Sequence, residues 1–123
     1  MGFDGEPIRF RTPADWRAWL GEHHASDDGA WVAIDKAHTG GAMTLLAATL
    51  EALCFGWIDS AMRPLDADRY ALRFTPRRKG SRWSEPNKRR ALELITEGRM
   101  TDAGLARIEE AKASGSWGED PQP

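Results

Sequence analysis

Arg73, Arg77 and Arg78 fall close together, at the end of an alternating segment and in the loop after it. Each guanidinium is a rigid fork of N–H donors that matches the two oxygens of a carboxylate or phosphate. Trp83, Ser84 and Asn87 follow where a helix should begin, and the free N–H groups of a helix start also favour an anion. Asp59, behind the apolar pair Trp57-Ile58, supplies a carboxylate on a neighbouring strand. These residues support two readings. In one, Asp59, Arg73, Arg77, Trp83 and Asn87 form a pocket for a small anionic or peptidic ligand. In the other, Arg73 or Arg77 pairs with Asp59 to lock two strands while Trp83 packs in the core.

Asp59 also raises the possibility of catalysis. Burial behind Trp57 and Ile58 would disfavour the charged carboxylate and suit it to general acid/base work. No nucleophile–histidine pairing lies near it, so an enzyme built on Asp59 is an alternative and not the leading reading. The stretch 73–90 holds eight basic residues against one acid, Glu85, with Phe74 and Trp83 among them. Stacking of single-stranded nucleic acid on such a segment is a further alternative. The whole chain opposes it: net charge is −2, so with +7 in that stretch the remainder carries −9.

Metal and cofactor chemistry find no foothold. His23 and His24 are adjacent and cannot share a helix face, and His38 stands alone, so zinc spacings are missing. Asp66 and Asp68 lie in a proline turn without the ligand series of a calcium loop. Thr39-Gly40-Gly41 lacks the Gly-Lys-Ser/Thr ending of a phosphate loop and reads as a left-handed turn. The expectation is therefore no cofactor and no metal.

Positioning these groups falls to elements with clear local signals. Glu6 to Arg11 alternates Ile8 and Phe10 with arginines, which predicts a half-buried strand. Thr12-Pro13-Ala14-Asp15 caps a first helix that carries Trp16, Trp19 and Leu20 on one face. Trp31 to Ile34 is a short strand. Thr44 caps a second helix with Leu46, Leu50, Leu53 and Cys54 on its apolar stripe, stopped by Gly56. Trp57 toward Met62 and Tyr70 to Phe74 predict a hairpin with a long connection. Ser84-Glu85-Pro86 opens a third helix, with Leu92 and Ile95 inward and Gly98 at its end. Thr101-Asp102 opens a fourth with Leu105, Ile108 and Ala111 on its stripe, ending near Gly115, where Trp117 folds back.

The resulting order is β-α-β-α-β-β-α-α, an α+β fold in which a small, mostly antiparallel sheet packs against about four helices. At 123 residues and 41% apolar content, residues 1–123 fit a single domain with its core in 6–117 and a frayed tail at 118–123. Six tryptophans supply bulky packing anchors. Met1 to Glu6 has no leader-like pattern and no apolar run approaches the length of a membrane span, so no membrane insertion is expected. The single Cys54, set between Leu53 and Phe55, reads as a buried thiol in a reducing, cytoplasmic setting.

From about Ala14 to Trp117 the chain resembles the YdeI/OmpD-associated, or bacteriocin-protection, family. Glu51-Ala52-Leu53-Cys54-Phe55-Gly56-Trp57-Ile58-Asp59 is similar to the family's central signature. Arg73-Phe74-Thr75-Pro76-Arg77-Arg78 and Trp83-Ser84 with Asn87 continue the likeness, as do Gly98-Arg99-Met100, Ala103-Gly104-Leu105, Ala111-Lys112, Gly115 and Trp117. The chain departs from the pattern at Ala37, where a lysine is usual, at Leu45-Leu46-Ala47, and at Ser60, where glycine follows the Trp-Ile-Asp signature. The resemblance implies a stress-response or antimicrobial-peptide-protection role of undefined biochemistry.

Overall fold

The computed structural model describes residues 6–121. Met1–Gly5, and with them most of the segment read for a leader, lie outside the described residues, as do the last two positions of the tail. Helix α1 (Pro13–His23) begins with Thr12 Oγ accepting from the Asp15 N–H at 3.2 Å, with proline in its first turn. Strand β1 (Ala30–Asp35) follows, then a short 3-10 turn (Ala37–Thr39) closed by Gly40 at φ 70. Helix α2 (Leu45–Cys54), strands β2 (Trp57–Pro64) and β3 (Arg69–Pro76), and helices α3 (Glu85–Thr96) and α4 (Asp102–Ser114) complete the chain. Thr44, Ser84 and Thr101 each cap the helix they precede by accepting from an N–H in its first turn.

The fold is α+β as expected, with a three-stranded antiparallel sheet in the order β1-β3-β2. Its first expected strand is reduced to one bridge. Ile8 pairs in parallel with Val32, its N–H donating to Trp31 O at 2.8 Å while Ala33 N–H donates to Ile8 O at 3.0 Å. The Thr-Pro helix start at Thr12 leaves no room for a longer ladder. The hairpin connection is shorter than expected: both strands reach further and only Leu65–Asp68 intervene.

One face of the sheet is dry. Val32, Ile34, Leu72 and Phe74 bury against Trp16 and Leu20 of α1 and Ala48, Ala52 and Leu53 of α2. Trp16 sits at the centre, 5.4 Å from the Phe74 ring, with its Nε1 donating to Ala48 O at 3.0 Å. Two expected core positions turn outward: Leu46 is 51% and Ile95 39% exposed, while Ala48 and Leu94 take the inward places. In α2 the stripe is set by small residues that let α1 approach closely. In α3 it passes through Ala91 and Leu94, one residue before Ile95.

Two charged side chains stitch the layers from inside. Glu51 is gripped by Arg17 at 3.1 Å and Arg99 at 2.9 Å, tying α1 and the α3–α4 connection to α2. Lys88 donates to Trp117 O at 3.0 Å and to Glu119 O at 2.7 Å, and pairs with Glu85 at 2.6 Å. Trp117 Nε1 donates to Asp120 at 2.7 Å. The tail expected to fray from residue 118 is thus tied down through Asp120, because the buried Lys88 ammonium places two of its donors on the carbonyls of Trp117 and Glu119. No helix of the described residues is long and apolar enough to cross a membrane.

Candidate functional site

The central strand brings the first arginine into place. Arg73 stands opposite Trp31 on one side and Ala61 on the other. Its guanidinium lies over Gly29: a Cβ there would come within 2.8 Å of Nη2 and 2.9 Å of Cζ. Gly29 therefore gives the arginine its seat, and any larger residue would displace it. On the edge strand Asp59 pairs with Phe74, and a bulge between Asp59 and Ala61 then shifts the register, so that Ala61, not Ser60, faces Arg73. Ser60, the extra residue, donates its hydroxyl to Arg73 O at 3.2 Å.

Arg77 begins the loop after β3, anchored by its N–H donating to Gly56 O at 2.9 Å. Gly56 holds φ 75, a left-handed conformation that suits glycine and turns its carbonyl toward the loop. The Arg77 side chain is only 4% exposed. Its Cζ lies 3.8 Å from the Trp83 ring centroid, a stacked cation–π contact. Nη1 donates to Ser81 Oγ at 3.1 Å, whereas Nε and Nη2 are buried without a partner. Those two atoms form one edge of the fork, the edge that takes both oxygens of a carboxylate or phosphate. Burial pulls the Arg77 pKa down to about 10, opposed by the negative charge of Asp59.

Arg73 and Arg77 line a cleft of about 960 Å³ together with Arg78 and Lys79. Its volume is at the upper end of the range of roughly 300–1,000 Å³ usual for small-molecule sites. Asp28 and Asp59 contribute carboxylates to the wall, and Ser60 and Ser81 hydroxyls. Among the described residues, none of these four cations or two carboxylates takes part in an ion pair. Glu51 and Lys88, the other buried charges, are fully partnered, so Arg77 alone among the described buried charges keeps an uncompensated edge.

The structure gathers Asp59, Arg73 and Arg77 at one cleft, and Trp83 backs Arg77 from beneath. Asn87 is elsewhere. Its N–H donates to Ser84 Oγ at 3.3 Å as part of the cap, and its Oδ1 accepts from Arg90 at 3.0 Å. The strand-locking pair of Asp59 with Arg73 or Arg77 does not form: Asp59 stands opposite Phe74 in the ladder, and among the described residues no ion pair joins it to either arginine. Nor is Asp59 buried: it is exposed on the edge strand, without the desolvation that general acid/base work would require. Asp28 and Ser60 escaped the sequence reading. Asp28 has the turn chemistry of its neighbours, and a bulge such as that at Ser60 has no reliable sequence signal.

A second depression of about 420 Å³ lies between the segment after α1 and helix α4, bordered by His24, Asp27 and Glu110. His24 is engaged through Nδ1 with Leu20 O at 2.8 Å, and His23 faces Asp27 at 3.4 Å. Among the described residues no group of three or more His, Cys, Asp or Glu is placed to hold a metal ion.

The family model described as Domain of unknown function (DUF8412) matches residues 8–107, which takes in every group of the cleft. The chain belongs to the DUF8412 family. No curated protein and no solved structure matches it. The matched span of this DUF8412 chain ends within α4, so the Trp117 clasp on Lys88 lies beyond it.

Proposed function

We propose that this DUF8412 protein is a binding module for a small anionic ligand, a phosphate or the carboxylate of a metabolite or peptide, seated at Arg73 and Arg77. One observation carries the reading: Arg77, one of the residues lining a cationic cleft, is buried to 4% exposure and keeps two guanidinium donors unpaired. A buried charge without a partner is costly, and an anion beside it removes that cost. The resemblance to the YdeI/OmpD-associated proteins, carried by Asp59, Arg73 and Arg77 among other residues, supports a cytoplasmic stress- or peptide-protection role for such binding. The exposure of Asp59 gives catalysis no comparable support. Nucleic acid is disfavoured as a partner by the acidic balance of the chain outside residues 73–90.

The test is a titration of the folded protein with inorganic phosphate at constant ionic strength, followed by the side-chain Nε–H resonances of its arginines. Saturable shifts centred on Arg73 and Arg77 are expected. Shifts that rise without saturation, or that spread evenly over all surface arginines, would refute the reading.

A further inference from the structure

The cleft holds more than an anion needs. Four cations and two carboxylates face it, a surplus of two positive charges. A phosphate monoester group brings about −1.5 to −2 to the cations at neutral pH, up to twice what a monocarboxylate brings, and leaves the two carboxylates to donors elsewhere on the ligand. The cleft is also large: at about 960 Å³ it far exceeds a bare phosphate, since one water occupies only about 30 Å³ of liquid. A site for a bare anion would gain nothing from Asp28 and Asp59, whose charges oppose it.

From these features we propose that the ligand is a phosphate monoester of a small hydroxyl- or amine-bearing molecule, its phosphate at Arg73 and Arg77 and its donors on Asp28 and Asp59. This rests on the anion-binding reading above and assigns the other half of the same cleft. The two carboxylates have no ion pair among the described residues, so their acceptor capacity is free for a ligand. Ser60 and Ser81 spend their hydroxyl contacts on Arg73 and Arg77, fixing the cationic wall. Ile58, Thr75 and Pro76 provide the uncharged surface between the two ends. A phosphate enters on the exposed Arg78 and Lys79 side, where these two solvated cations steer it into the cleft.

Charge removal separates the two halves of the idea. Inorganic phosphate, glucosamine 6-phosphate and unphosphorylated glucosamine are titrated by calorimetry into the wild type, Asp59→Asn and Asp28→Asn. Both positions are exposed, so the variants should keep the wild-type melting temperature, and that is checked first. The wild type should bind the amino-sugar phosphate at least tenfold more tightly than phosphate and the bare amino sugar scarcely at all. Each variant should lose about tenfold toward the amino-sugar phosphate, the scale of one charge-assisted hydrogen bond. Binding of inorganic phosphate should stay equal or tighten, because a repelling charge has gone. Should both variants bind both phosphates equally or more tightly than the wild type, the acids are bystanders and the ligand class is wrong, while anion binding stands. Absence of any phosphate binding by the wild type would overturn both readings.

Discussion

Arg77→Met measures the uncompensated charge directly. The fall in the Arg77 pKa from the ordinary arginine value to about 10 corresponds to roughly 3 kcal/mol by which the folded environment disfavours the guanidinium, at about 1.4 kcal/mol per unit. Methionine removes that cost and fills much of the same volume with a flexible apolar chain. It forfeits the stack on Trp83, worth about 1–2 kcal/mol, and the bond to Ser81, worth about 1.5 kcal/mol. The terms nearly cancel. In urea denaturation at neutral pH, followed by tryptophan fluorescence, Arg77→Met should therefore lie within about 1 kcal/mol of the wild type. Loss of a properly partnered buried charge would instead cost about 3–5 kcal/mol. Ligand-dependent stability gives the second arm: phosphate at ten times its Kd should stabilise the wild type by about 1.4 kcal/mol and the variant by almost nothing. A destabilisation above about 3 kcal/mol, or an equal phosphate increment in both proteins, would show that Arg77 is a satisfied structural residue.

Two further outcomes follow from the packing. Trp57, 1% exposed and edge-on to Trp16 at 6.5 Å and Trp19 at 6.0 Å, should cost about 3–5 kcal/mol when replaced by alanine; a loss below about 1 kcal/mol in the same denaturation assay would contradict its place in the core. Burial raises the Cys54 pKa above its ordinary 9.0, so its contribution to stability is complete below pH 9 and is lost as pH rises from there through the folded-state value. Cys54→Ala should accordingly flatten the decline of stability above pH 9 relative to wild type, and an unchanged slope would refute it.

Helix starts were the most legible part of the sequence. Thr12, Thr44, Ser84 and Thr101 all cap as their local chemistry implies, since a cap depends only on residues within one turn. The strands were legible in kind and less so in extent. Ile8 and Phe10 alternate properly, yet only Ile8 pairs, because a ladder also needs a partner edge and β1 offers its free side over a short stretch. Facing positions misled where neighbouring apolar residues compete: Ile95 lost its inward place to Leu94, and Leu46 to Ala48. Asp59, Arg73 and Arg77, singled out by their side-chain chemistry and by the family signature, line one cleft. Asn87 was misplaced because its closeness in sequence to Trp83 says nothing about which way a capped helix points its first turn.

The burial of Arg77 has a cause that no local pattern contains. Strand alternation puts residue 77 on the same side as Arg73 and Thr75, the half-buried side of β3, and opposite Leu72 and Phe74 in the core. Its chain should then have been solvated, with its charge cheaply screened. Instead the loop after Arg78 folds back, Trp83 N–H donates to Ser116 O at 3.3 Å, and the Trp83 ring settles 5.0 Å from Trp117. That contact, between residues more than thirty positions apart, closes over an arginine the sheet had left outside. Lys88, trapped by the same C-terminal segment, receives two carbonyls and a carboxylate in return. Arg77 receives one hydroxyl and a ring face. Two basic groups buried around the Trp83–Trp117 contact, one satisfied from within the chain and one not, locate the place where an acceptor from outside has most to offer.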